Sequence, residues 1–115
     1  MSRLGDTSAA RRRRHHAAVF AALGDETRLS LVNALSAGEP RSIAQLTGGT
    51  KITRQAITKH LRVLESAGIV HSVRTGRESL FEFDPTPMTE LQEYLGRVAG
   101  QWDQVLSRLK ALVES

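Results

Sequence analysis

Long hydrogen-bond donors cluster between residues 54 and 62: Arg54, Gln55, Lys59 and Arg62, with the hydroxyl of Thr58 among them. Projected on a helix at about 100° per residue, these five share one arc with Glu65 and Ser66. Thr53, Ala56, Ile57, His60, Leu61, Val63, Leu64 and Ala67 fill the opposite arc. Arg, Lys, Gln and Thr hydrogen-bond base edges and phosphates, so the outer arc has the chemistry to enter a major groove. For a helix taken alone, the competing reading is a charged face that is only solvated. What flanks the helix decides between them.

Other chemistry finds little footing. The chain has no cysteine, which removes disulfides, thiolate metal sites and a cysteine nucleophile together. His15 and His16 are adjacent and cannot share a helix face, so they do not make a metal pair. His60 stands on the core-side arc, where the expectation is a structural imidazole bonding backbone near the turn, not a ligand. No nucleophile sits in a recognisable motif, and Gly48-Gly49 reads as a turn because no strand precedes it. The reading is of a non-enzymatic chain without cofactor or metal.

At 115 residues the length suits one domain with one modest core. No apolar run approaches a membrane span, and no secretory apolar segment follows the basic N-terminus, so the expected location is the cytoplasm. The net charge of +4 is unevenly spread. Residues 51–77 carry six Lys/Arg against one Asp/Glu, whereas residues 78–115 carry three against seven. A basic middle beside an acidic end points to a polyanion-binding surface on one side of the fold.

The helix must be positioned by its neighbours. Residues 1–14 are polar and end in Arg11-Arg12-Arg13-Arg14. They read as a basic arm, disordered in its first part, that reaches along phosphates or into a minor groove; a solubilising run or a frayed helix start reads equally well. Ala17 to Leu23 is apolar on nearly all sides and must be buried in its own core or against a partner. Gly24 stops it and Asp25 caps a second helix whose core stripe is Leu29, Val32 and Leu35, with Leu31 as a further candidate. Gly38 and Pro40 end that helix, and Ser42 caps a short third, Ile43 to Thr47. A short helix, a Gly-containing turn and a longer helix beginning near Ile52 or Thr53 make a helix-turn-helix.

After Ala67-Gly68, two alternating runs, Ile69 to Arg74 and Ser79 to Phe83, flank Thr75-Gly76-Arg77-Glu78 and predict a β-hairpin. A ribbon directly after such a helix is a wing, with Arg74 and Arg77 at its tip for phosphate or minor-groove contact, or as a solvated turn. Asp84-Pro85-Thr86-Pro87 then opens a last helix, with Thr86 as cap and Pro87 at its first position. Apolar residues recur at Met88, Leu91, Leu95, Val98, Trp102, Val105, Leu109 and Leu112, in steps of three and four. This seam is too long for so small a core and predicts packing against a second copy of the chain, with Phe20 and its neighbours completing the interface. Gly96 and Gly100 lie inside this helix away from the seam, with no reason evident.

The blocks Phe20-Ala21-Ala22-Leu23-Gly24-Asp25-Glu26-Thr27-Arg28-Leu29 and Thr58-Lys59-His60-Leu61-Arg62-Val63-Leu64-Glu65-Ser66-Ala67-Gly68-Ile69-Val70 resemble the ArsR family of bacterial winged-helix repressors. Trp102 in a long final helix is most similar to its SdpR-like autorepressor branch. The resemblance implies a mainly α fold with a small β-hairpin, a homodimer joined through its first and last helices, and repression at an inverted-repeat operator. It does not carry metal sensing: Ser42 to Thr47 lacks cysteine, and no histidine follows His71.

The expected organisation is thus a basic arm at 1–14, a winged helix-turn-helix at 15–84 and a dimerisation helix at 85–115. DNA contacts are expected at Arg54, Gln55, Thr58, Lys59, Arg62, Arg74 and Arg77: Gln55, Thr58, Lys59 and Arg62 at base edges and nearby phosphates, Arg54 flanking them, and Arg74 and Arg77 on the adjacent backbone. Dimer contacts are expected at Phe20, Leu91, Leu95, Val98, Trp102, Val105 and Leu109. An unknown effector is compatible with this reading. The alternative is a winged helix whose basic face binds an acidic partner protein.

Overall fold

Each helix begins where a side-chain oxygen meets free N–H groups of its first turn. The computed structural model describes residues 7–114 and orders them as α1 (Ser8–Leu23), α2 (Glu26–Ser36), β1 (Arg41–Ser42), α3 (Ile43–Thr47), α4 (Arg54–Ser66), β2 (Val70–Thr75), β3 (Glu78–Phe83) and α5 (Thr86–Glu114). Thr7 caps α1 by accepting from the Ala10 N–H, and Asp25 caps α2 by accepting from that of Arg28. Ser42 and Gln45 form a reciprocal capping box on α3, and Thr53 caps α4 through the Ala56 N–H. At α5 the acceptor is Asp84, whose Oδ1 takes the Thr86 N–H at 2.9 Å. Thr86 is therefore the first helical residue and not the cap.

The first helix starts nine residues earlier than Ala17. With Thr7 as cap and Ala and Arg as strong helix formers, Arg11 to Arg14 are helical and exposed, and do not form an extended arm. The rest of the expected arm, residues 1–6, lies outside the described residues. The α4 end has Gly68 at φ 78°, with the Ile69 N–H bonded to the Leu64 carbonyl and the Gly68 N–H to that of Glu65, a Schellman closure. That closure turns the chain straight into the wing.

The wing has three strands, in the order β1-β3-β2, all antiparallel. The expected hairpin is β2 and β3; β1 adds two residues, Arg41 opposite Phe81 and Ser42 opposite Leu80. Gly76 opens the hairpin turn at φ 63° and, among the described residues, no non-Gly residue has positive φ, which fits a type II′ turn. Val70 and Phe81 bury one face of the ribbon.

The core joins Val19 and Ala22 of α1, Leu31, Val32 and Leu35 of α2, Leu46 of α3, and Ile57, Leu61 and Leu64 of α4. Ile69, Val70, Phe81 and Leu91 close it from the wing and α5. Two expected core residues stay outside. Leu29 and Val63 are 47% and 42% exposed; Val63 lines an open groove against Ala18 and Ala21 of α1 that no side chain fills. Of α5 only Pro87 and Leu91 are buried. At about 1.5 Å per residue this 29-residue helix is roughly 43 Å long, and its second half projects past the core. Among the described residues, no helix is long and apolar enough to cross a membrane.

Candidate nucleic-acid interface

Ile57, Leu61 and Leu64 lock the inner face of α4 into the core, which fixes what the outer face presents. Arg54, Gln55, Lys59 and Arg62 are exposed and Thr58 is half-buried; together they line one shallow concavity of about 670 Å³. The five α4 residues picked from the sequence are thus brought together. The Thr58 hydroxyl donates to the Arg54 carbonyl at 2.7 Å, so its oxygen lone pairs face outward as an acceptor.

The rotation of α4 is further set by Arg28, whose importance the sequence reading missed. Its Nε donates to the Ala22 carbonyl at 2.6 Å, its Nη2 to the Ala21 carbonyl at 3.3 Å, and its Nη1 lies 3.2 Å from His60 Nδ1. One guanidinium thereby satisfies the Ala22 carbonyl at the end of α1, shares that of Ala21 with the Gly24 N–H, and grips α4. Arg can only donate, so His60 accepts at Nδ1 and carries its ring proton on Nε2. His60 is structural as expected, but it bonds a side chain and not backbone. Asp25 Oδ2 completes the cluster, 3.8 Å from His60 Nδ1. The Arg28 backbone N–H, with the charge of the Arg28 guanidinium beside it, holds the Asp25 carboxyl below its ordinary value.

Arg77 stands in the wing turn and Arg74 near the end of β2, three residues before Arg77; both are exposed. Arg74 pairs across the ribbon with Ser79, and Ser72 with Phe81, so Arg74 is on the α4-facing side of the wing. At the wing base, His71 Nε2 meets Asp84 Oδ2 at 2.8 Å. The Thr86 N–H, then His71, lower the Asp84 pKa. Arg11 to Arg14 lie on the N-terminal half of α1, on a different element from the α4 donors.

The expected self-association residues divide. Leu91 closes this chain's own core, which corrects its assignment to a partner contact. Leu95, Val105 and Leu109 are exposed, Trp102 is 62% exposed, and Val98 is half-buried. Phe20 is exposed with its ring edge-on to Tyr94 at 6.3 Å, and Tyr94 also packs on buried His16 at 4.9 Å. Leu106 and Val113 widen the uncovered strip beyond the expected seam. Among the described residues, no group of three His, Asp or Glu could hold a metal ion.

A helix-turn-helix domain model matches residues 23–73, the span from the α1 end through β2. An HTH-type transcriptional regulator of Bacillus subtilis is 41% identical over 80 residues, covering 64% of this chain and 87% of that one. A second, from Mycobacterium tuberculosis, is 31% identical over 94 residues, covering 82% of this chain and 84% of its own length. The solved structure of an ArsR-like transcriptional regulator from Rhodococcus sp. RHA1 superposes with a TM-score of 0.82 at 35% identity, covering 89% of this chain and 93% of that one. An outward row of exposed donors on a core-locked helix beside a basic wing, in a chain this similar to transcriptional regulators, marks the protein as a member of the ArsR family of winged helix-turn-helix transcriptional regulators.

Proposed function

We propose that the chain is a homodimeric repressor that binds an inverted-repeat DNA operator, without a metal as its signal. The observation that carries this reading is the α4 surface: five donor or acceptor side chains on one exposed face, backed by three buried aliphatic residues that prevent the helix from rolling. Gln55 and Thr58, near the helix start, are placed for base edges, and Lys59 and Arg54 for the bases and phosphates beside them. Arg77 at the wing tip is placed for the flanking backbone.

Dimerisation is supported by the uncovered apolar strip of α5, since Trp102, Leu106, Leu109 and Leu112 would otherwise stand in water. A homodimeric winged helix-turn-helix DNA-binding domain from Mycobacterium bovis shares the fold, with a TM-score of 0.61 at 23% identity over 76% of this chain. Two copies would set their α4 helices about 34 Å apart, one turn of duplex, and so require a palindromic site. A repressor acts by occupying such a site in the cytoplasm against polymerase.

The test is to sequence the genomic fragments retained by the purified protein. The expected result is a shared palindrome whose affinity drops at least tenfold in the Gln55→Ala/Lys59→Ala double variant, with thermal unfolding unchanged. Retention of fragments without a common sequence, or an unaffected double variant, would remove the assignment.

A further inference from the structure

A cavity of about 490 Å³ lies among α2, β1, α3 and the start of α4, and the DNA-binding reading makes no use of it. Its floor is aliphatic: Leu31, Leu46 and Ile57 are buried, and Ala34 and Ile52 are half-buried. Its polar lining includes Arg41, Gln45 and Glu26. We propose that this cavity binds a small organic monocarboxylate with an apolar body, the carboxylate held by Arg41 and the body lying on the aliphatic floor.

The donors come first. Arg41 sits on the edge strand β1 and is half-buried, yet among the described residues its side chain has no hydrogen-bond or ion partner. A guanidinium partly withdrawn from water and left unpaired is costly, and an anion within reach removes that cost. Gln45 adds to the same corner. Its Oε1 accepts from the Ser42 N–H at 2.9 Å, which holds the amide one residue along from Arg41 and leaves its NH2 group to donate. Two donor groups beside an apolar floor suit a carboxylate on a hydrocarbon body.

The rest of the lining narrows the class. Thr50 donates its hydroxyl to the Thr47 carbonyl at 2.9 Å and accepts the Ile52 N–H at 3.4 Å, so it is committed to the turn. Glu26 is the only carboxylate of the lining, exposed on the first turn of α2 and without a partner among the described residues. It repels a second negative charge, which favours a monoanion over a dicarboxylate or a phosphate ester. The volume is that of a small-molecule site.

Both helices of the helix-turn-helix bound the cavity, Gln45 and Leu46 from α3 and Ile57 from α4, so a molecule on this floor is coupled to their spacing. Such a molecule would act as an effector. That consequence rests on the DNA-binding reading above, whereas the binding itself does not.

The experiment follows the methyl NMR signals of Leu31, Leu46, Ile52 and Ile57 in the whole protein as octanoate is added. The expected result is saturable shifts at these methyls. Affinity should fall about tenfold or more for octanol, which lacks the charge, for suberate, which carries a second one, and in Arg41→Gln, while Arg41→Lys keeps part of it. A thermal melt checks the folding of the variants, and the octanol and suberate arms decide on the unmodified chain alone. Methyls that stay unmoved, that respond to octanol as strongly as to octanoate, or that shift undiminished in a folded Arg41→Gln would overturn the proposal. So would shifts confined to the apolar strip of α5. Saturating octanoate should also change operator affinity about fivefold or more, and leave Arg41→Gln unaffected; unchanged affinity with the cavity filled would overturn the effector role. A chain that shows the methyl shifts but binds no duplex would refute the DNA-binding reading and not the site.

Discussion

Arg28 spends one side chain on three elements, reaching two carbonyls of α1 and the imidazole of α4 from the start of α2. Its loss would leave the Ala22 carbonyl without its side-chain donor and free the back of α4. Hydrogen bonds to charged groups contribute about 1.5–3 kcal/mol, so Arg28→Ala should lower stability by about that amount in urea melts. Arg28→Lys should fail to restore it, lacking the planar fork. A second residue-scale prediction concerns acid. Asp25 and Asp84 both titrate below their ordinary 3.8 in the folded chain. A depressed folded pKa means stability that is present above 3.8 and lost as pH falls through the lower folded values. Asp25→Asn and Asp84→Asn should each flatten the acid limb of a stability-versus-pH curve, read by denaturant midpoint. The α4 face was legible in the sequence because its donors and aliphatics alternate with a clear helical period. The Arg28 cluster was not, since its partners are backbone carbonyls and a residue 32 positions away, and no spacing rule announces them.

Among the elements, α5 carries two interior glycines that its surroundings do not explain. Gly96 and Gly100 are in the helix interior, and a Cβ added at either meets nothing within 4 Å. Nothing in the structure accounts for them. Each should cost about 1 kcal/mol relative to alanine, so Gly96→Ala and Gly100→Ala should raise the unfolding free energy by about that much apiece. A loss of stability in either variant would show that another chain approaches the helix there. The helix itself was legible from its steps of three and four, and the β2–β3 ribbon from its alternation around Gly76. Strand β1 was hidden, because two residues after Pro40 are too few to show alternation. Leu29 and Val63 were misplaced for a related reason: periodicity gives the angle around a helix but not the extent of the neighbour that would cover it.

At the scale of the whole molecule, the account depends on two chains acting as one. A single chain leaves a strip from Leu95 to Val113 uncovered and offers one α4 to the duplex. Pairing would bury that strip and supply the second reading helix together. Positive charge concentrates in residues 51–77 and negative charge in residues 78–115, which separates the surface proposed to meet phosphate from the one proposed to meet a twin. The most direct measurement is analytical ultracentrifugation of the protein at micromolar concentration, alone and with its selected duplex, for the unmodified chain and for Leu109→Asp. The account predicts a dimer, two chains per duplex, and a Leu109→Asp variant that is monomeric, folded and at least tenfold weaker on the operator. A chain that sediments as a monomer and still saturates the duplex with undiminished preference would contradict it.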